Sequence, residues 1–148
     1  MIEVEYQAST TLAEFHNCDD FMRAIIGPIG SGKSSACSWE IFRRATQQEP
    51  GPDGIRRTRW AIVRNTYREL ADTTLKTWLD WFPEEHIGKL HKQDMMHVVK
   101  YGDTETEILF RALDRPADVK KLLSLELTGA WVNEAKEVPR AVVDMLQG

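Results

Sequence analysis

Cysteine and long apolar runs are scarce in this sequence, and each shortage excludes a class of protein. Two cysteines, Cys18 and Cys37, are too few for the disulfide framework of a small secreted domain. No apolar run approaches the roughly 20 residues that a membrane-spanning helix needs, and the N-terminal MIEVEYQASTTL lacks the basic start and apolar core of a signal peptide. These shortages predict a soluble protein of a reducing compartment, without a membrane partner.

An excess of basic charge is also missing. The formal net charge is −4, which excludes a strong overall positive field for nucleic acid or anionic lipid. Local basic stretches occur at 43–44 and 56–59, and such stretches usually form a solvated face. The 148 residues are 42% hydrophobic and 28% charged, a balance that supports one buried core and predicts a single globular domain over residues 1–148.

Apolar runs and helical periodicity alternate along the first half of the chain. After a mixed lead-in, FMRAII at 21–26 is short, apolar and followed by glycine and proline, which predicts a buried strand. Apolar residues at helical spacing predict a helix over 33–46, and RWAIVR predicts a second strand at 59–64. A further helix is predicted over 66–82, and TYRE at its start has the form of a capping box.

The second half adds a hairpin pattern and a last strand. MHVVKYGDTETEILFRAL at 96–113 predicts two antiparallel strands around a polar turn. DRPADVKKLLSLEL predicts a short helix or turn, TGAWVNEA predicts a third buried strand, and Pro139 fits the first turn of a closing helix that runs to Gly148. Strands that alternate with helices predict an α/β fold, with a mostly parallel sheet flanked by helices and an inserted antiparallel hairpin near 96–113.

The stretch GPIGSGKS, Gly27 to Ser34, matches the pattern G-x-x-x-x-G-K-[ST] in full. A triphosphate needs several backbone N–H groups that point inward, and glycine adopts the required backbone angles without Cβ strain. The helix that follows adds its free N–H groups and the positive end of its dipole. A glycine-rich turn with an exposed lysine is the alternative, but the position between a predicted strand and a predicted helix favours nucleotide binding.

Each part of this loop has an expected role in binding ATP and Mg²⁺. We expect Lys33 to reach the β and γ phosphates and the Ser34 hydroxyl to ligate Mg²⁺. The residues predicted to bind the nucleotide are Gly27, Pro28, Ile29, Gly30, Ser31, Gly32, Lys33, Ser34 and Ser35.

A hydrolase also needs an acidic group from a second strand, and LTGAWVNEA is the candidate. Residues 130–132 are apolar, so Asn133 and Glu134 are predicted at the carboxyl end of a strand, where ligands of parallel sheets bind. Glu134 would then orient and polarise the attacking water, and Asn133 would face the Mg²⁺ shell. The alternative is that both residues merely leave a strand for a loop. A neutral amide oxygen also binds Mg²⁺ less strongly than a carboxylate.

Structural roles explain several other polar and aromatic residues better than functional ones. Arg64 ends the second predicted strand and is more typical of an ion pair than of a nucleotide or DNA contact. Arg111 and Arg115 invite an arginine-finger role, but no spacing selects either one. The spacing of the histidines and the nearby aspartate matches no zinc template; these residues are His86, His91, His97 and Asp94. The aromatic residues Trp78, Trp81 and Phe82 are more typical of a core than of a base-stacking surface.

Four segments in this order resemble the ATPase domain of tailed-phage large terminase subunits, the motors that package DNA into procapsids. They are IIGPIGSGKSS, WAIVRNTYREL, the hairpin end ILFRALDRP, and LELTGAWVNEAKEVP, and together they span most of 21–139. The resemblance implies a P-loop ATPase of the additional-strand type, with Lys33 and Ser34 on the phosphates and metal and Glu134 as the catalytic carboxylate. It also implies double-stranded DNA, portal and small terminase subunit as partners, a homo-oligomer at full length, and a phage or prophage protein in the cytoplasm of an infected bacterial host.

Two features depart from the pattern of that family. Asn133 stands where an aspartate is usual, which weakens the predicted metal binding. The coupling motif, further strands and nuclease domain of such motors are absent from these 148 residues, so we expect a C-terminally incomplete domain whose sheet has an exposed flank. We therefore expect weak binding of ATP·Mg²⁺ and slow turnover. The alternatives are a non-catalytic nucleotide- or partner-binding fragment and a P-loop small-molecule kinase.

Overall fold

A five-stranded mixed sheet flanked by helices forms the part of the chain that the computed structural model describes, residues 3–114 and 116–147. The strands are β1 (Arg56–Arg64), β2 (Gly88–His91), β3 (Met96–Tyr101), β4 (Thr104–Ala112) and β5 (Gly129–Val132). The helices are α1 (Thr10–Asn17), α2 (Lys33–Thr46), α3 (Tyr67–Glu69), α4 (Leu75–Trp81), α5 (Glu84–Ile87), α6 (Pro116–Leu123) and α7 (Arg140–Leu146). A π-helical segment (Leu70–Thr74) joins α3 to α4, and a 3-10 turn (Ala135–Glu137) follows β5.

The sheet combines a parallel part with an antiparallel part, in the order β2-β3-β4-β1-β5. Strands β4, β1 and β5 are parallel, whereas β3 pairs antiparallel with both β2 and β4. The predicted α/β fold and the hairpin near 96–113 are confirmed, but the prediction of a mostly parallel sheet is wrong. The difference arises because β2 adds an antiparallel pairing that the pattern does not predict, while residues 21–26 add no parallel one.

Residues 21–26 do not form the predicted buried strand. They lie outside the sheet, and Phe21 and Ile26 are 84% and 96% exposed. Apolar composition favours a strand only where a neighbouring strand supplies hydrogen-bond partners and buried contacts. Within the described ranges, the parallel side of the sheet ends at β5, whose strand partner is β1. One edge of β5 is therefore open, and residues 21–26 are not paired with it.

The core lies on both faces of β1, because successive residues of a strand point to opposite sides of the sheet. Ile62 belongs to the main apolar cluster, in which Trp78 of α4 is also buried. Ala61 and Val63 belong to a smaller cluster, where Leu122 of α6 packs against them. Burial on both faces of the central strand fixes its register, since a shift by one residue would exchange the two clusters.

The helix predicted over 66–82 is present but interrupted. The N-cap at Thr66 is confirmed, because its hydroxyl accepts a hydrogen bond from the Glu69 N–H (3.3 Å). The second bond of the predicted capping box differs, because the Glu69 carboxylate accepts from the Thr66 hydroxyl (3.1 Å) rather than from the Thr66 backbone N–H. From Leu70 the helix widens into a π-helical turn, in which the Leu75 N–H donates to the Leu70 carbonyl. Such turns are rare in proteins, and those that occur often lie at functional sites. The last residue of this one, Thr74, is buried.

The other predicted helices occur close to their expected positions. Helix α2 begins at Lys33 as predicted, and the segment expected to form a short helix or turn forms α6. The predicted closing helix is present as α7. It begins at Arg140, and Pro139 is its N-cap rather than part of its first turn. Its predicted end, Gly148, lies outside the described residues. The pattern does not predict α1, which Ser9 caps. Among the residues that the structure describes, no helix is both long and apolar enough to cross a membrane.

Candidate functional site

The glycine loop, residues 27–34, leads directly into α2. Gly30 and Gly32 have φ angles of 80° and 82°, in the left-handed region that favours glycine. Gly32 is also the N-cap of α2, where an added Cβ would lie 3.3 Å from Leu12 Cδ1. The glycines at these two positions thus allow the chain to turn sharply just before the helix.

The first turn of α2 leaves several N–H groups available to a ligand. The first hydrogen bond of the helix runs from the Ala36 N–H to the Gly32 carbonyl (2.9 Å), and no described residue accepts from the N–H groups of 32–35. The Ser34 hydroxyl likewise has no partner within the described ranges, whereas Ser35 Oγ accepts from Trp81 Nε1 (2.9 Å). Free N–H groups at the positive end of a 14-residue helix favour a negatively charged ligand.

Lys33 folds back over the glycine loop. Its Nζ donates to the carbonyl oxygens of Gly27 and Pro28, both at 2.6 Å, and to Ser31 Oγ at 3.2 Å. A Cβ at Gly27 would lie 3.1 Å from the same Ser31 oxygen, so a larger residue would crowd this network. The ammonium group is therefore held by neutral oxygens. An anionic oxygen would form stronger, charge-assisted bonds with it.

A buried carboxylate, Glu40, ties α2 to the segment that precedes the glycine loop. Its side chain accepts from Arg23 (2.8 Å), Arg43 (2.9 Å), Arg44 (2.7 Å) and His16 (2.5 Å). Burial alone would raise the pKa of Glu40, but the hydrogen bonds from Arg43, Arg44, His16 and Arg23 outweigh it and lower the pKa to about 2. This cluster was not predicted, and its one local signal is the pair of arginines three and four residues after Glu40.

As predicted, β5 ends just before Asn133 and Glu134. The Asn133 N–H donates to the Val63 carbonyl (2.9 Å), and its side-chain Nδ2 donates to the Thr74 hydroxyl (2.8 Å). Glu134 is exposed, with φ and ψ both 54°; a left-handed residue with a Cβ stores strain of about 1–3 kcal/mol, and such residues cluster at functional sites. Strand β5 is partly exposed rather than buried as predicted, because it lacks a second neighbouring strand among the described residues.

Arg64 lies at the carboxyl end of β1 and shares the Thr74 hydroxyl with Asn133. Its Nη1 donates to Thr73 Oγ1 and, at 3.3 Å, to Thr74 Oγ1. Its Nε lies 3.8 Å from the Glu69 carboxylate and is buried without a hydrogen-bond partner among the described residues. The ion pair favoured by the sequence is therefore present but long. The guanidinium group, with a side chain 13% exposed, brings positive charge to the end of the parallel strands.

The glycine loop and the Asn133 group are separate in their contacts. No hydrogen bond or ion pair within 3–114 and 116–147 joins residues 27–35 to Asn133 or Glu134. Asn133 is fixed to β1, whereas the predicted strand that would have anchored the loop in the sheet is not formed. The two groups are linked only indirectly, because Trp81 at the end of α4 donates to Ser35 and the segment before α4 carries Thr74.

The remaining candidates have structural contacts. Trp78 Nε1 donates to Nδ1 of His97 (2.8 Å) in the core, and burial lowers the pKa of His97 to about 4. Phe82 belongs to the same apolar cluster. The described residues include no group of three or more His, Cys, Asp or Glu that could hold a metal ion. Arg111 donates to a backbone carbonyl in the turn between β2 and β3 (3.1 Å), and Arg115 lies outside the described residues.

Comparison with known proteins identifies the fold. No family model matches the sequence, and no curated protein matches it. Solved structures of the large terminase from a thermophilic bacteriophage do match. Crystal form 3 covers 95% of this chain and 34% of the terminase chain, at 12% sequence identity and a TM-score of 0.70. Crystal form 2 covers 81% and 28%, at 13% identity and a TM-score of 0.69.

The structure of the same thermophilic phage terminase in complex with ADP covers 80% of this chain at 14% identity, with a TM-score of 0.64. The present chain spans 28% to 34% of the length of these terminase chains. At such identities the likeness concerns the fold, and at that level it confirms the resemblance predicted from the sequence. This chain has the fold of part of a phage large terminase.

Proposed function

We propose that the chain is the ATP-binding and ATP-hydrolysing part of a viral DNA-packaging motor, which couples hydrolysis to DNA translocation into procapsids. The observation that carries this proposal is the glycine loop, where Lys33 and the free N–H groups of α2 suit a phosphate within a terminase fold. The thermophilic phage terminase has been solved with ADP and with ATP-γ-S, which supports a nucleotide as the ligand.

In the proposed site the glycine loop binds the phosphates of ATP. The N–H groups of residues 32–35 donate to phosphate oxygens, and Lys33 exchanges its carbonyl partners for oxygens of the β and γ phosphates. Mg²⁺ takes oxygen ligands, and the Ser34 hydroxyl, without a partner among the described residues, and the Asn133 amide oxygen both fit it. Bound Mg²⁺ would neutralise phosphate charge.

Glu134 is the proposed general base. Its exposed carboxylate, at the strained turn after β5, would accept a proton from water as the water oxygen bonds to the γ-phosphorus and the bond from that phosphorus to the β,γ-bridging oxygen breaks, which releases ADP and phosphate. A general base must approach the reacting water to about 3 Å. Because no described contact joins Glu134 to the glycine loop, we expect slow turnover by the chain on its own.

The likeness in fold to phage terminases supports a proposal for partners and location. We propose double-stranded DNA, the portal and the small terminase subunit as partners, a homo-oligomer as the assembly, and the cytoplasm of an infected bacterial host as the location. The fold comparison does not favour the alternatives of a non-catalytic fragment or a small-molecule kinase.

The first experiment measures nucleotide binding separately from hydrolysis. A fluorescent ATP analogue is titrated with Mg²⁺ into the wild type, Lys33→Ala and Lys120→Ala; Lys120 is an exposed lysine of α6 and serves as the matched control. We expect Lys33→Ala to weaken binding by about 10-fold or more, because a hydrogen bond to a charged group contributes about 1.5–3 kcal/mol. Lys120→Ala should bind as the wild type does.

Hydrolysis is then followed as phosphate release at high protein concentration. We expect slow release by the wild type and none by Glu134→Gln, which keeps the shape of the side chain but cannot accept the proton. A wild-type chain that binds no nucleotide, or a Lys33→Ala protein that binds as tightly as the wild type, contradicts the proposed function. Fast, DNA-stimulated hydrolysis contradicts only the expectation of slow turnover.

A further inference from the structure

The chain on both sides of the glycine loop is connected by Glu40, a buried carboxylate of α2. Glu40 is 5% exposed, and it accepts from Arg23, which precedes the loop, at 2.8 Å. Lys33, the first residue of α2, lies about two turns before Glu40 on the same helix. One carboxylate therefore joins the segment that enters the loop to the helix that follows it.

Arg23 is held by more than a single ion pair. Besides its bond to Glu40, its Nη1 donates to the Phe15 carbonyl (3.0 Å), and its guanidinium carbon lies 4.9 Å from the centre of the Phe15 ring. The side chain is 18% exposed, so water and salt weaken these charge-assisted contacts less than they would at the surface. Arg23 is thus a fixed point just before the glycine loop.

Between Arg23 and α2 the chain has no comparable attachment. Within the described part of the chain, the hydrogen bonds of residues 24–32 run only to one another and to the first turn of α2. Ile26 is 96% exposed and Ile29 is fully exposed, so packing adds little, and the strand predicted at 21–26 is not formed. The course of this segment is therefore set mainly by the points that hold its two ends.

We propose that Arg23 and Glu40 are positioning residues for nucleotide binding, because their ion pair holds the entry of the glycine loop close to the first turn of α2. This inference rests on the proposed function. A segment that is closed at both ends has lost conformational freedom before a ligand arrives, so less ordering remains to oppose binding. Neither residue is proposed to touch the phosphates; both act through the backbone of the loop.

Arg43 provides a matched comparison, because it binds the same carboxylate but holds a different part of the chain. Its Nε and Nη2 donate to Glu40 at 3.1 and 2.9 Å, and Nη2 also donates to the His16 carbonyl in α1. Like Arg23, it neutralises Glu40 and holds a backbone carbonyl, but it fastens α1 rather than the entry of the loop. Loss of either arginine should destabilise the fold, whereas only loss of Arg23 should release the loop.

The experiment compares Arg23→Met with Arg43→Met. Methionine keeps an unbranched side chain without the donors, and urea denaturation gives the free energy of unfolding of each variant. The fluorescent ATP analogue is then titrated with Mg²⁺ into both variants and the wild type. We expect about 10-fold weaker binding in Arg23→Met, because ordering one freed backbone residue on binding lowers the affinity by roughly that factor. Arg43→Met should bind as the wild type does.

Backbone NMR relaxation of the nucleotide-free protein tests positioning independently of binding. The amides of Gly30 and Gly32 should be as ordered as those of α2 in the wild type and in Arg43→Met, and more mobile in Arg23→Met. A loss of stability alone would affect both variants alike. In a Glu40→Gln background, Arg23→Met should weaken binding less than it does in the wild type, because the two residues act through one interaction.

A folded Arg23→Met protein that binds the analogue as the wild type does overturns this inference, and weaker binding by Lys33→Ala then leaves the proposed function intact. Equal weakening in Arg23→Met and Arg43→Met also overturns it, because binding would then follow global stability. A wild type that binds no nucleotide overturns both proposals. If either variant does not fold, relaxation of the wild type decides: ordered amides at Gly30 and Gly32 support the inference, and amides as mobile as those of an unattached loop overturn it.

Discussion

The part of the sheet formed by β3, β4 and β1 is buried beneath helices, whereas the edge at β5 is open. Trp78 of α4 and Phe110 of β4 belong to the apolar cluster on the first part and are 0% and 1% exposed. Strand β5 is partly exposed along its length, and Phe21, in the apolar segment that forms no strand, is 84% exposed. We infer that most of the free energy of folding comes from the buried part, while Asn133 and Glu134 lie at the end of the open one.

The largest effect that tests this difference is expected from Trp78→Ala. Removal of a fully buried tryptophan leaves a cavity and costs about 4 kcal/mol, and it also leaves Nδ1 of His97 without its donor. Phe21→Ala removes an aromatic ring that is largely in water, so the free energy of unfolding should change by less than about 0.5 kcal/mol. Urea denaturation followed by circular dichroism measures both.

Similar losses in Trp78→Ala and Phe21→Ala would break the comparison. They would mean that the apolar segment 21–26 is buried in solution. A loss confined to Trp78→Ala supports the assignment of stability to the β3–β4–β1 part.

A smaller but still large effect is expected from Glu40→Gln, which removes a buried charge carried by α2. The change leaves Arg23 and Arg43 without their anion and Arg44 with Asp19 alone, and breaking a buried ion pair in this way costs about 3 kcal/mol or more. Glu49→Gln is the matched control, because Glu49 is exposed just after the same helix. Urea denaturation at neutral pH should show a loss only in Glu40→Gln.

The pH dependence of stability distinguishes Glu40 from His97. The pKa of Glu40 is lowered from 4.5 to about 2, so its contribution is present above about pH 4.5 and is lost as the pH falls towards 2. The pKa of His97 is lowered from 6.5 to about 4, so the fold loses stability between those values, where only the unfolded chain binds the proton. Glu40→Gln should abolish the first loss and keep the second; an unchanged loss below pH 4.5 contradicts the role of Glu40.

Local patterns predicted the elements that their own residues stabilise. Helix α2, the hairpin near 96–113 and the N-cap at Thr66 depend on contacts between near neighbours in the sequence, and all three are confirmed. The segment 21–26 depends on a distant partner strand, and its composition alone does not supply one. The Glu40 cluster is similar, because His16 and Arg23 lie 24 and 17 residues away from it.

The candidate site shows the same difference between local features, which the sequence predicts, and contacts between distant residues, which it does not. The motif places Gly30 and Gly32 where the backbone is left-handed, a local property that the residue type reveals. Thr74 was not predicted as a partner of Asn133, because the two residues are 59 apart in the sequence and one of them lies in a π-helical turn without a clear sequence signature. The joint action of Glu134 and the glycine loop stays a prediction.

Gly30→Ala and Gly54→Ala should destabilise the protein less than Trp78→Ala or Glu40→Gln does, and they offer the most closely matched pair. Both residues have a φ of +80°, and an added Cβ at either one meets no atom within 4 Å. Each substitution should therefore cost only backbone strain, about 1 kcal/mol, and urea denaturation should give equal losses. Gly30→Ala alone should also weaken binding of the ATP analogue, because its strain opposes the turn that presents the N–H groups of α2. Equal weakening in both variants would mean that binding follows global stability and that the glycine loop has no particular role in it.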